Sequence, residues 1–568
     1  MSRFEPSRVR ASDTSFGLAI GFIGKPTTHP VSSISNLVFA KLTFFYRHYP
    51  RSLARSKWLS LGLMLSVGLG LADAQEISSF YIREYRVEGA KRLKNLEVEE
   101  AVYPFLGPGR TPEDVESARA ALEKTYHDKG MQTVSVVIPQ QDPRRGVIRL
   151  AVVEGQVGRL RVNGARYFLP SRIQSEVPSL AEGSVPDMNQ VTKEIVALNR
   201  LPDRRVTPEL RMGVVPGTVD IDLKVEDKLP LHGSIELNNR YSANTTSLRL
   251  NGALSYGNLW QRGHTAGVNF QVAPENPDDA QVFSGYYLAR VSDGLSLMVT
   301  GTKQDSDIST LGGAAVGGRG EILGLRALFD LPSTATFYQN LSVGIDYKNF
   351  EEDLVIGADT ISSPIEYYPL SINHGATWMW DEGFTEMNHS LNFHLRGMGS
   401  GETDYANKRY NADGNYVFLR GDVAHTQDLK DGDQVFGKLQ AQVASQPLVN
   451  GEQMAGGGLG SVRGYLEATA LGDNGIFGTA EYRTRSWIGS PDATGARSDE
   501  WRFHVFADAG VLGVRDPLPG QKRRYSLASG GLGTRFTLKK HFNGSLDVAV
   551  PLIDQAEADA GDVRVTFR

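Results

Sequence analysis

The sequence predicts two copies of a small α+β module followed by a transmembrane antiparallel β-barrel of about sixteen strands. Three features predict it. An imperfect repeat of roughly 75 residues fills the chain from about residue 80 to 226. Short segments of alternating apolar and polar residues replace it from about residue 232 to the C-terminus. Ahead of both, an apolar run at 58–71 ends in Ala72-Asp73-Ala74, the pattern of a secretory signal and its cleavage site.

With 568 residues the chain is too long for one compact core, so two or more domains are expected. It contains no cysteine, which excludes disulfides and thiolate chemistry. Sixty basic and 65 acidic residues leave a net charge of −5, which disfavours a nucleic-acid partner. Beyond the N-terminal region no run approaches the roughly 20 apolar residues of a membrane helix. A barrel passes that test unseen, because only every second residue faces lipid.

In chain order, residues 1–57 form an N-terminal extension and 58–74 a signal core with its cleavage site, flanked by Arg51, Arg55 and Lys57. The two modules follow at 75–155 and 156–228. Tyr85-Arg86-Val87-Glu88-Gly89-Ala90 in the first recurs as Leu160-Arg161-Val162-Asn163-Gly164-Ala165 in the second. Each copy then offers a helix start. Thr111 is placed to cap, with Pro112 at the first helical position and Asp114 three residues after the cap; Ser184, Pro186 and Asp187 are expected to do the same in the second. Val115, Ala118, Leu122 and Tyr126 share one helix face, and Met188, Val191, Ile195 and Leu198 another, so each helix packs on a small sheet. Strands at 133–138 and 147–153 close the first copy, and 206–212 and 219–225 the second. Pro216 and Gly217 suit the centre of a type II turn in the latter pair.

The barrel occupies 229–568. Leu546, Val548, Val550 and Leu552 share one face of a strand, and Ser545, Asp547 and Ala549 the other. Val563, Val565 and Phe567 likewise oppose Asp562, Arg564 and Thr566. Apolar residues outward and polar residues inward is the membrane-barrel pattern. Strands counted back from the end fall near 562–568, 543–552, 526–538, 501–510, 476–487 and 435–446, leaving room for about ten more. With an even count both chain ends lie on one side, so the long connection at about 447–475 opens on the other.

That connection contains Gly456 to Tyr465, GGGLGSVRGY, too rich in glycine for a strand or helix. A lone strong donor, Arg463, stands between Val462 and Gly464. Downstream, Phe506-Ala507-Asp508-Ala509-Gly510 places one carboxylate among small residues. Asp508 has the parity of His504 and Phe506 and the opposite of Phe503 and Val505; if the latter face lipid, Asp508 faces the lumen. The two segments resemble the paired signatures of the outer-membrane assembly and secretion superfamily of β-barrel transporters. SQPL before the loop and GYLEATALGDNG through it are similar to the two-partner secretion (type Vb) branch, the haemolysin secretion and activation proteins. In this family the arginine of the VRGY loop folds into the barrel and pairs with the aspartate of the F-x-D-x-G strand. The resemblance therefore implies a loop–strand lock made of Val462, Arg463, Gly464, Tyr465, Phe506, Asp508 and Gly510. It also implies that the repeated modules are POTRA domains in the periplasm and that the barrel lies in the outer membrane of a Gram-negative bacterium.

No enzyme signature is present: the 11 histidines hold no zinc-binding helical pair, and no phosphate-binding GxxxxGK[ST] loop occurs. Neither cofactor nor metal is expected, and Glu402, Asp404, Asp431 and Asp433 read as solvated loop acids. The resemblance implies a pore for a large secreted exoprotein carrying an N-terminal secretion domain, with outer-membrane lipid around the barrel and the barrel assembly machinery as a partner during biogenesis. A barrel assembly and insertion factor is the alternative. Some relatives carry a plug helix of about twenty residues before the first POTRA domain. Cleavage after Ala74 would leave residues 75–79, roughly 17 Å of extended chain, so no such helix is expected.

Overall fold

The computed structural model of the chain describes residues 79–568 except 310–315, 352, 357–358, 363, 491–496 and 556. The extension, the signal sequence and the residues 75–78 on which the plug-helix expectation rests lie outside the described residues. Contacts divide the chain between Leu229 and Pro230 into two units.

In the first module β1 (Phe80–Ile82) pairs with β3 (Gly107–Arg110), and β2 (Glu84–Glu88) runs parallel to β5 (Val147–Glu154), which β4 (Val134–Val137) flanks antiparallel. Helices α1 (Asn95–Val102) and α2 (Pro112–Asp128) cover one face. Thr111 caps α2 as the sequence suggests: Asp114 Oδ2 accepts its N–H at 2.9 Å. Val115, Ala118, Leu122 and Tyr126 are buried on the face predicted, against Ile148 and Leu150.

The second module repeats the plan with β6 (Gln156–Asn163) parallel to β8 (Thr218–Asp227), β7 (Arg204–Met212) antiparallel beside it, and helices α3 (Pro170–Ser175) and α4 (Met188–Leu198). Here α4 starts later than its sequence suggests. Asp187 is the cap, accepting the Asn189 N–H at 2.9 Å, whereas the Ser184 carbonyl takes the Val157 N–H at 2.8 Å. Ser184 is committed to a strand-like contact and cannot also open a helix. The Pro216–Gly217 turn forms, with Gly217 at φ +81° and Thr218 N–H bonded to Val215 O.

Residues from Pro230 build the barrel. Its strands are β9 (Leu231–Asn238), β10 (Arg249–Leu259), β11 (His264–Val272), β12 (Ala280–Ser292), β13 (Leu295–Ser309), β14 (Val316–Asp330) and β15 (Phe337–Glu351). A small hairpin, β16 (Asp353–Ile356) with β17 (Asp359–Ser362), stands off the ring. Next come β18 (Ile365–Tyr367), β19 (Leu370–Trp380), β20 (Gly383–His394), helix α5 (Glu402–Lys408), β21 (Tyr416–Asp428) and β22 (Gln434–Ala444). A second short hairpin, β23 (Met454–Gly456) with β24 (Ala470–Gly472), lies within the long connection. The ring ends with β25 (Asn474–Arg483), β26 (Glu500–Gly513), β27 (Arg524–Leu538), β28 (Phe542–Pro551) and β29 (Arg564–Phe567). Both β18 and β19 pair with β15, so they form one interrupted strand and the ring has sixteen positions. Pro369 marks the break because it has no N–H to give the ladder; its carbonyl still accepts from Asp346 N–H. Glu402 and Asp404, read from sequence as loop acids, sit instead in the first turn of α5.

Period-2 patterning decides which face meets lipid. On β22, Val435, Leu439 and Val443 are exposed while Lys438, Gln440 and Gln442 are buried in the lumen. On β26, Phe503 and Val505 point out and His504, Phe506 and Asp508 point in. Trp260, Trp378, Trp380, Trp487 and Trp501 are all exposed and cluster at one end of the strands. That end carries mostly short turns, such as 381–382 and 539–541, which is the periplasmic side of a bacterial barrel with its aromatic girdle.

Candidate functional site: a loop docked in the lumen

The connection between β22 and β25 leaves the extracellular rim and returns into the barrel. Its small core consists of Met454, Val462, Tyr465 and Ala470 packed on the wall residues Phe477, Leu512 and Leu527. This apolar seat fixes the loop tip, and Arg463 is then held among charges.

Arg463 grips Asp508 by a fork: Nε donates to Oδ2 at 2.7 Å and Nη2 to Oδ1 at 2.9 Å, while its backbone N–H reaches Oδ2 at 3.1 Å. Its third arm, Nη1, donates to Glu481 Oε1 at 2.7 Å, and Asp547 lies 3.6 Å away. The guanidinium also covers the Phe506 ring, with Cζ 3.4 Å from the ring centroid. Arg463 and Asp508 are 5% and 2% exposed, so the pair is desolvated and its hydrogen bonds must be complete. The other motif residues serve the same geometry. Gly464, at φ +92°, passes close to Pro551. Gly510 leaves room for Phe477, since a Cβ there would lie 2.0 Å from Phe477 Cδ1. Val462 is fully buried, and the Tyr465 hydroxyl donates to Ile553 O at 2.8 Å. All seven motif residues meet in this one place.

Sequence reading missed Glu481, Asp547 and His504 as members of the network. Glu481 also binds Arg483 at 2.8 Å and Arg535 at 3.2 Å, and Asp547 accepts from His504 Nε2 at 2.6 Å. Their lumenal parity was legible, but parity does not say which lumenal charge a loop will meet. A second buried acid, Asp473, gathers the Leu448 N–H at 2.8 Å, the Arg515 N–H at 2.7 Å and Gln453 Nε2 at 2.9 Å, tying both ends of the loop to its neighbours. Among the described residues no group of acids and histidines is arranged to hold a metal ion.

Comparison with known proteins agrees with this architecture. Residues 80–155 match the ShlB-type POTRA domain family, and residues 370–536, which span the docked loop and its Asp508 strand, match the haemolysin secretion/activation protein family ShlB/FhaC/HecB. The outer membrane transporter CdiB of Dickeya dadantii is 23% identical over 72% of this chain and 73% of its own length. CdiB of Escherichia coli strain 536 is 28% identical over 32% of this chain and 30% of its own. Among solved structures, CdiB from Escherichia coli superposes with a TM-score of 0.58 at 18% identity, covering 94% of this chain and 96% of that one. BamA from Haemophilus ducreyi lacking POTRA domains 1–3 gives 0.51 at 16%, covering 86% and 98%. Fold and matches together define an outer-membrane β-barrel transporter with periplasmic POTRA modules, a class without enzymatic activity. Within that class the two family matches and the CdiB relatives support a two-partner secretion transporter similar to the ShlB/FhaC/HecB family.

Proposed function

We propose that this transporter captures its exoprotein as an added strand on the open sheet edge of the first POTRA module, and passes it through a barrel that the docked loop obstructs at rest. The observation that carries the reading is an asymmetry among sheet edges. A sheet edge exposes unpaired N–H and C=O groups that recruit an extended chain unless something covers them. On three of the four edges of the two three-stranded sheets, side chains or turn backbone cover outward main-chain groups. On β4, Glu123 accepts from Val136 N–H at 2.9 Å and Arg119 donates to its carbonyl at 3.3 Å. On β7, the Asn199 amide meets both groups of Val206, at 2.6 and 2.9 Å, and Pro208 has no N–H to offer. On β6, Glu182 and Gln174 cover Leu160, at 3.2 and 3.1 Å, and residues 183–184 cover Val157.

The fourth edge is β2. Glu84 N–H turns toward the β5 side, bonding Gly146 O, so Tyr85 and Val87 direct their main-chain groups outward. Those groups have no partner among the described residues. Main-chain pairing is indifferent to side chains, which suits a cargo that arrives unfolded. Val87→Pro in the full transporter removes one outward donor and should reduce exoprotein secretion by about tenfold, equivalent to about 1.4 kcal/mol or one to two hydrogen bonds. Leu160→Pro on β6, where Glu182 and Gln174 already cover the main chain, should have little effect on secretion. Equal secretion by both variants would refute the edge as the capture site.

For the loop, Arg463→Ala leaves Asp508 and Glu481 without their shared cation. Removing one partner of a buried pair costs about 3–5 kcal/mol. The barrel should still assemble, while secretion falls and resting conductance in planar bilayers rises. Normal export by Arg463→Ala would remove the lock from the mechanism.

A further inference from the structure

The ring closes between its first and last strands, β9 and β29, and this junction is lightly made. β29 has four residues, and its ladder with β28 covers Leu546↔Phe567 to Ala549↔Arg564. Across to β9 the link runs through Asn239, just past the strand's end. Its N–H donates to Phe567 O at 3.3 Å, its Nδ2 to Val565 O at 2.8 Å, and its Oδ1 accepts from Phe567 N–H at 2.7 Å. A side-chain amide thus stands in for a strand ladder.

The docked loop touches both sides of this junction. Toward the last strands, Tyr465 holds Ile553 just beyond β28, and Arg463 lies near Asp547 on β28. Toward the first strand, Glu467 takes the Arg240 Nε–H at 2.8 Å, and its own backbone N–H donates to Tyr241 O at 3.1 Å. Glu467 is 7% exposed, and its Oε1 also receives the Leu459 N–H at 3.2 Å, so the carboxylate is fixed within the loop before it meets Arg240. From the β29 side, the Arg564 guanidinium sits over the Tyr241 ring, 4.8 Å from its centroid.

We propose that Arg240 and Glu467 are positioning residues for transport: they clasp the loop tip to the first strand, so that one loop holds both sides of the closing junction from inside. Loop docking and junction closure are then one coupled state, and a loop that leaves the lumen also loosens the seam.

The test uses the full transporter, whose lack of cysteine permits clean labelling. Nitroxide labels on cysteines replacing Leu237 and Val565, which face outward on β9 and β29, report the distance across the junction by pulsed electron resonance. Arg240→Gln and Glu467→Gln should each shift that distribution to longer distances and broaden it. Arg240→Lys should keep it narrow, and the reversed pair Arg240→Glu with Glu467→Arg should restore it. No cargo enters the measurement, so its result is independent of the edge-capture reading. An unchanged distribution in both single variants overturns the clasp. So does a shift that neither Arg240→Lys nor the reversed pair prevents, and those two variants decide the matter should a single variant fail to assemble.

Discussion

The two POTRA modules are built from one repeat and share even its tertiary devices, yet they differ at one edge. In the first, Glu154 at the end of β5 receives the N–H groups of Lys91 and Arg92. In the second, Asp227 at the end of β8 receives those of Arg166, Tyr167 and Phe168. Both central strands bury an equivalent leucine, Leu150 and Leu223, without exposure. At the outer edge the likeness ends: Gln174 and Glu182 cover Leu160, and nothing described covers Tyr85, its counterpart. A repeat can keep its core and still assign its copies different work, because edge hydrogen bonds depend on a few polar side chains that the core does not constrain.

The hardest test of that comparison removes equivalent core side chains. Leu150→Ala and Leu223→Ala should each destabilise their own module by about 2–5 kcal/mol, since both leave a cavity in a packed core. Pulse proteolysis of the full transporter in urea would measure it. Despite similar losses, only the variant in the first module should abolish capture of an exoprotein secretion domain. Comparable capture defects would mean that the modules are functionally interchangeable.

A smaller effect follows from uncovering the second edge. Gln174→Ala together with Glu182→Ala frees the Leu160 main chain at a cost of about 1 kcal/mol per lost hydrogen bond. Titration calorimetry with the secretion domain should then reveal an additional, weaker site. If binding is unchanged, an open edge is not sufficient for capture and side-chain contacts beside β2 must contribute.

The smallest expected effect concerns pH. The Thr111 N–H, followed by the Arg110 guanidinium, holds the Asp114 carboxyl below its ordinary value of 3.8. A depressed carboxylate stabilises the folded module above the unfolded pKa and loses that contribution as pH falls through the folded one. The first module should therefore weaken below about pH 4, and Asp114→Asn should flatten this dependence. Urea midpoints between neutral and acidic pH would show it; an identical slope in Asp114→Asn would place the acid sensitivity elsewhere.

The α2 start was legible because Thr111, Pro112 and Asp114 act within one turn. Ser184 misled because its pattern is equally local, while the bond that claims it comes from Val157, on another strand. The Arg463–Asp508 pair was legible through resemblance to a family; the residues alone gave only a glycine-rich loop and a lumenal carboxylate. Glu481 and Asp547 escaped notice because many lumenal charges share their parity, and only the docked position of the loop selects among them.

By itself the sequence determined the repeated modules, the change to alternating strands, an estimate of about sixteen of them and, on the last strands, which residues share a face. These follow from periodicity and from caps a few residues long, so neighbouring residues suffice to specify them. Tertiary structure alone decided which carboxylates surround Arg463, which sheet edge remains open and how Glu467 reaches Arg240 across 227 positions of chain. Such contacts join segments whose local patterns are complete without one another, and only the folded chain brings their polar groups within hydrogen-bond distance.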